Sequence, residues 1–344
     1  MPDMFESGYE FLKNLMAKKE LSNFSREQQN AWKLLTQFFK EKDVHEKNIL
    51  SAFEKMASTE KSKKETFLTM ALAEHLFGKL SPGQSYLIDS RIKGKDNKSK
   101  DKPNEICKCG CGKEIRLGST GIGHAAVWHG FVDILMVNSN EEAECGARVF
   151  LDSPDGDGPS PAKKMKTSDE EDEEEDEDIL FPECISEVSV LETVLDQATA
   201  QTVVFALAYN RVNPMCNMFI PNILIGPTKF YIVMYEPVND VLVWSAEFQL
   251  FDHSMKELQD VGIIALWMAL HYKLFCKGAE DIFADVTEIK AGFRNHLDEE
   301  HWLIYKNYLN IGVSSFNALP RQDLVHSLRE YNYDLPTLKK LINL

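Results

Sequence analysis

The sequence predicts an α/β fold. A mixed-sheet core carries a helical N-terminal region, a helical C-terminal region and a disordered acidic insert. Three observations predict it. The first ninety residues repeat apolar side chains at three- and four-residue spacing. The middle of the chain runs strand, insert, strand, helix, strand, strand, helix, an order that builds a mixed sheet covered by helices. A block of Pro, Gly, Ser and acid interrupts that core at residues 152–179 and lacks the apolar surface to order itself. The expected organisation is 1–90 helical, 91–280 α/β core and 281–344 helical.

Composition narrows the classes. The chain has 344 residues, 44% hydrophobic and 27% charged, enough to bury a sizeable core. Net charge is -16, yet ten of the carboxylates form the single run Asp169 to Asp178, so the remainder carries only -6. That excludes a generally polybasic nucleic-acid binder and leaves room for a local basic groove. Val261 to Leu270 is the longest apolar stretch and is too short to span a bilayer. The acidic start Met1-Pro2-Asp3-Met4-Phe5-Glu6 is unlike a signal peptide. Seven cysteines, an odd number, do not make a disulfide framework. The expected location is reducing, nuclear or cytoplasmic.

The elements follow in order. Helices are expected at Phe5 to Lys19, Ser25 to Lys42, Glu46 to Ala57 and Lys64 to Leu80. Ser25 with Gln28 has the spacing of a capping box ahead of Trp32, Leu34, Leu35 and Phe38. Ser81-Pro82-Gly83 stops the last of them. Arg91 to Lys102 holds six basic residues, among them Lys93, Lys95 and Lys98. It reads as a solvated hairpin loop or as an arm contacting phosphates. Gly118 to Gly123 reads as a turn leading to a β segment, Val127 to Val137. Beyond the insert, Cys184 to Leu191 reads as a strand and Thr193 to Tyr209 as a helix. Strands are expected at Phe219 to Ile225, Lys229 to Tyr235 and Val241 to Phe248, the last two joined by a turn at Pro237-Val238-Asn239-Asp240. A long helix, Ser254 to Phe275, carries an apolar stripe of Val261, Ile264, Ala265, Met268 and Tyr272. Short helices fill Ile282 to Leu344.

Two constellations carry chemistry. Asp133 is a charge inside the apolar run Gly130 to Met136, costly unless paired or bound to a cation. Glu187 sits in the apolar run Ile185 to Leu191, where strand alternation puts it on one face with Ser189. If these strands are neighbours, Asp133 and Glu187 converge and can hold Mg²⁺ or Mn²⁺. His129, four residues before Asp133, is a candidate partner for it. The second constellation is Cys107-x-Cys109-x-Cys111, with His124, His129 and Cys145 downstream. Thiolates and imidazoles are zinc's preferred ligands. Reduced cysteines in a β-hairpin are the competing reading. Hydrolase motifs such as Gly-x-Ser-x-Gly and His-Glu-x-x-His are absent from the sequence.

An Asp on one strand, Glu-x-Lys on the next and a Gln-bearing helix make up a pattern of the PD-(D/E)XK nuclease-like superfamily. Asp133, Glu187-Val188-Ser189, and Gln197 with Gln201 resemble it over roughly Val127 to Phe251. The resemblance implies a restriction-endonuclease-like core. It implies catalytic roles for Asp133, Glu187, Ser189 and Gln197, with Asp133 and Glu187 on the metal. Glu74 is a candidate for an additional upstream acid. Ser189 stands where the family has lysine, so the implied centre is degenerate.

Three functions follow as expectations. One is metal-dependent phosphodiester hydrolysis or nucleic-acid binding by a nuclease-like protein, with Lys93, Lys95 and Lys98 on the nucleic acid. Another is a non-catalytic interaction module on the same fold, drawing basic protein partners through the acidic run. The last is a zinc-stabilised structural protein built on Cys107, Cys109 and Cys111.

Overall fold

The computed structural model describes residues 2–17, 20–57, 61–93, 104–138, 143–150, 187–214, 217–252, 254–284 and 286–312. The acidic insert, Lys95, Lys98, residues 184–186 of the Cys184 to Leu191 segment and everything after residue 312 lie outside the described residues.

Helices α1 (Glu6–Met16), α2 (Arg26–Lys40), α3 (Lys42–Ala57) and α4 (Lys61–Leu72) open the chain. The capping box forms as expected. The Ser25 hydroxyl accepts from the Gln28 amide, and the Gln28 side chain accepts from the Ser25 amide. A π-helical segment, Ala73–Phe77, joins α4 to the single turn α5 (Gly78–Leu80). The strands that follow are β1 (Ser85–Asp89), β2 (Asn104–Ile106), β3 (Glu114–Gly118), β4 (Gly121–Gly123), β5 (His129–Phe131), β6 (Ile134–Val137) and β7 (Ala143–Val149). Helix α6 (Glu187–Val212) leads to β8 (Ile220–Ile225), β9 (Lys229–Glu236), β10 (Val241–Trp244) and β11 (Phe248–Gln249). The chain then runs through α7 (Asp260–Leu270), α8 (Tyr272–Phe275), α9 (Ala279–Ile282), α10 (Glu299–Asn307) and β12 (Asn310–Ile311).

The α/β class with a mixed sheet is what the structure has. The main sheet runs β10-β9-β8-β7-β6-β1-β3-β2, with β11 also on β9. Pairs β1–β3 and β7–β8 are parallel, and the rest are antiparallel. A small antiparallel sheet, β12-β4-β5, stands beside it. Alternation along the strands sorts the two faces. Leu224 packs with Phe150, Val194 and Ala198 under α6. Ala147, Val149, Ile223 and Ile225 belong to the main core with Leu68, Leu72, Leu266 and Trp267. That core runs from Met4 to Leu309. Helix α7 is buried from Gly262 to Leu270 on all sides, so the expected stripe understates it. The Trp267 indole N–H donates to the Ala31 carbonyl 2.9 Å away, joining α7 to α2.

Three expectations need correction. Glu187, Val188 and Ser189 begin α6 instead of lying on a strand. Their β-branched neighbours suit a strand, but Leu191, Val194, Leu195 and Ala198 repeat at helical spacing, and Val194 and Ala198 are buried. The strands beside β6, which begins directly after Asp133, are therefore β1 and β7, not the Glu187 segment. The Val127 to Val137 segment splits into β5 and β6, which join different sheets. The long C-terminal helix starts at Asp260 and breaks at His271.

Candidate metal centre

Strands β2 and β3 form a hairpin whose turn carries all three close cysteines. The Cys107 amide donates to the Lys113 carbonyl and closes the turn. Gly110 and Gly112 reverse the chain at φ +97° and +76°, values that favour glycine. The three thiols thus gather on one side of a turn instead of on one face of a strand. Helix α3 clamps this turn from outside. The Ser51 hydroxyl and the Lys55 ammonium both donate to the Cys109 carbonyl, at 3.0 and 2.7 Å.

The fourth member is His75, in the π-helical segment. It is buried, with Nε2 3.2 Å from the Cys109 sulfur. The Cys107 and Cys109 sulfurs are also 3.2 Å apart. Ligand atoms of His75, Cys107, Cys109 and Cys111 all lie within 4.8 Å of one another. Among the described residues this is the one group of three or more His, Cys, Asp or Glu side chains gathered so closely. These four can hold a metal ion. Tetrahedral zinc with Zn–S near 2.3 Å sets its sulfurs about 3.8 Å apart, a spacing between the 3.2 Å Cys107–Cys109 separation and the 4.8 Å limit of the group.

The electrostatics suit a cation. Burial pushes the Cys107 and Cys109 thiols up from their ordinary range, so without a positive partner they stay protonated. A bound cation reverses that balance and deprotonates a coordinating thiol. Burial also holds the His75 imidazole down at about 4, which keeps it in the neutral, ligating form. Its Nδ1 has no hydrogen-bond partner among the described residues, and the His45 ring stands 5.8 Å away. With His75 Nε2 directed at the sulfurs, the donor set fits zinc.

Sequence reasoning found the three cysteines and missed His75. Thirty-two positions separate it from Cys107, and it sits in an apolar helical run, so spacing gave no signal. The histidines proposed instead do not join. His124 accepts from the Ala126 amide, His129 is exposed, and Cys145 is buried on β7 with its sulfur on the Gly146 and Pro221 carbonyls.

Asp133 lies elsewhere, between β5 and β6, beside the carboxyl ends of β1 and β7. Its Oδ2 accepts from the Val149 amide at 2.8 Å and faces Arg148 Nε at 3.6 Å. Burial raises its carboxyl, and Arg148 is the largest opposing influence. Asp89, at the end of β1, is ion-paired with Arg91, whose guanidinium covers the Phe131 ring at 3.3 Å. Glu65 of α4 is raised to about 7, first by burial, then by the Asp133 charge. Glu74 accepts from Tyr86 and pairs with Lys79.

The remaining predicted residues are placed as follows. Glu187 and Ser189 lie on the first turn of α6. Gln201 donates to the Phe131 carbonyl at 2.8 Å, while Oε1 of both Gln197 and Gln201 is buried without a partner among the described residues. Lys93 closes a 3₁₀ turn, Ser90–Lys93, and its side chain is outside the described set. No helix among the described residues is long and apolar enough to cross a membrane. No family model, curated protein or solved structure matches the chain.

Proposed function

We propose that this chain is a zinc-stapled α/β protein in which His75, Cys107, Cys109 and Cys111 hold one structural Zn²⁺. The observation that carries the reading is the convergence of four zinc-type donors from two distant segments within 4.8 Å. A Cys₃His set fills a tetrahedron and leaves no position for water or substrate, the signature of a structural centre. The ion ties the β2–β3 hairpin, at one edge of the sheet, to the helical layer that carries His75. Coordination energy then becomes folding energy. The test is metal analysis of the purified full chain, followed by chelation. About one equivalent of zinc is expected, with a melting temperature several degrees lower after chelation. Less than about half an equivalent, or melting indifferent to zinc, overturns the reading.

A second reading concerns the charged group at Asp133. The order β6, β7, α6 supports kinship with the PD-(D/E)XK pattern, with the Glu-x-Lys segment moved to Gly146-Ala147-Arg148 on β7. There the metal-binding acid is a glycine, and Arg148 occupies the lysine's place and faces Asp133. Such a centre favours a non-catalytic nuclease-like module over hydrolysis with Mg²⁺ or Mn²⁺. No Mn²⁺-dependent melting shift and no nucleic-acid cutting are expected. Cutting that Asp133→Ala abolishes overturns this second reading.

A further inference from the structure

We propose that the zinc centre is oxidation-labile: Cys111 is oxidised by hydrogen peroxide, and the disulfide that Cys111 then forms with Cys109 expels the ion. The inference rests on the zinc reading above and adds its regulation.

Access distinguishes the four ligands. His75, Cys107 and Cys109 are buried, whereas Cys111 is partly exposed. A Cβ added at the neighbouring Gly112 would meet nothing within 4 Å, so open space adjoins the Cys111 side of the turn. On the other side, a Cβ at Gly110 would lie 2.9 Å from the Lys55 ammonium, which places a positive charge beside the turn. An oxidant therefore meets one ligand first, the partly exposed Cys111. The second sulfur is already at hand. The Cys109 sulfur lies 3.4 Å from the Cys111 amide nitrogen, and Cys109 to Cys111 is spanned by a glycine in the left-handed region.

The chemistry balances with hydrogen peroxide and solvent protons as the only added reactants. The Cys111 thiolate attacks the peroxide, an S–O bond forms, the O–O bond breaks, and the leaving hydroxide takes a proton to become water. The Cys109 thiolate then attacks the sulfenyl sulfur, an S–S bond forms, and a second hydroxide leaves and is protonated. Two thiolates, one peroxide and two protons give one disulfide and two waters. The ion keeps only His75 and Cys107 and is released. Burial raises the Cys145 and Cys276 thiols, Cys276 to about 12, which disfavours their attack on peroxide.

The experiment titrates the zinc-containing full chain with hydrogen peroxide. A chromogenic indicator follows free zinc, and tandem mass spectrometry maps the oxidised cysteines. One zinc released per Cys109–Cys111 disulfide is expected, reversed by a thiol reductant and added zinc. In Cys111→Ser, whatever zinc remains should leave at least about ten-fold more slowly. Mapping on the unaltered chain decides the matter if that variant holds no zinc. Zinc that stays bound through excess peroxide overturns the inference, as does release with oxidation mapped to other cysteines. A chain without zinc before any oxidant is added overturns the zinc reading itself.

Discussion

His271 makes acid stability a test of the core. It caps α7, is 2% exposed, and packs edge-on against Trp267 with ring centroids 5.4 Å apart. Neither ring nitrogen has a hydrogen-bond partner among the described residues. Burial alone holds its imidazole down at about 3, against 6.5 ordinarily. The folded state therefore resists a proton that the unfolded state accepts. The associated stability is complete above pH 6.5 and is lost progressively as pH falls towards 3. Each pH unit below 6.5 costs about 1.4 kcal/mol, so the loss at pH 5 is about 2 kcal/mol. His271→Phe keeps an aromatic ring and removes the titration. Urea unfolding of both proteins at pH 7.5 and 5.0 measures it. The variant should lose about 2 kcal/mol less than the unaltered chain over that interval. The difference cancels other titrating groups and any packing change common to both pH values. Equal losses in the two proteins would refute the description of His271 as neutral and dry.

Three further outcomes follow from contacts. Arg148→Ala leaves Asp133 buried without its cation and should cost about 3–5 kcal/mol, whereas Asp133→Asn added to it should recover part of that in the same urea assay. Gly262→Ala puts a Cβ 2.4 Å from the Gln249 carbonyl oxygen, so α7 must move off β11 and the melting temperature should fall by several degrees. Ser25→Ala removes the α2 cap and should cost about 1 kcal/mol by equilibrium unfolding.

What the sequence disclosed was local. The Ser25–Gln28 box, the hairpin turn before Val241 and the helical face of α2 depend on residues a few positions apart, and all three form. Strand β1 went unnoticed because Ser85–Asp89 is short and follows directly on the Pro82-Gly83 turn. The Glu187 segment misled because an apolar run of Val and Leu suits a buried strand and a buried helix equally. Likewise the partners that matter come from afar in sequence. His75 reaches the cysteines only once the π-helical segment and the hairpin are both in place. Arg148 faces Asp133 only because β6 and β7 pair antiparallel. Such pairings are set by topology, which residue spacing does not encode.

The π-helical segment at Ala73–Phe77 amounts to one surplus residue wound into a helix. Each α-helical residue advances about 100° around the axis. Excising a single amino acid from that segment would restore ordinary winding, yet rotate the imidazole a quarter-turn or more out of the thiol cluster. The helix would survive as a helix while its donor pointed elsewhere, a loss of phase without a loss of secondary structure.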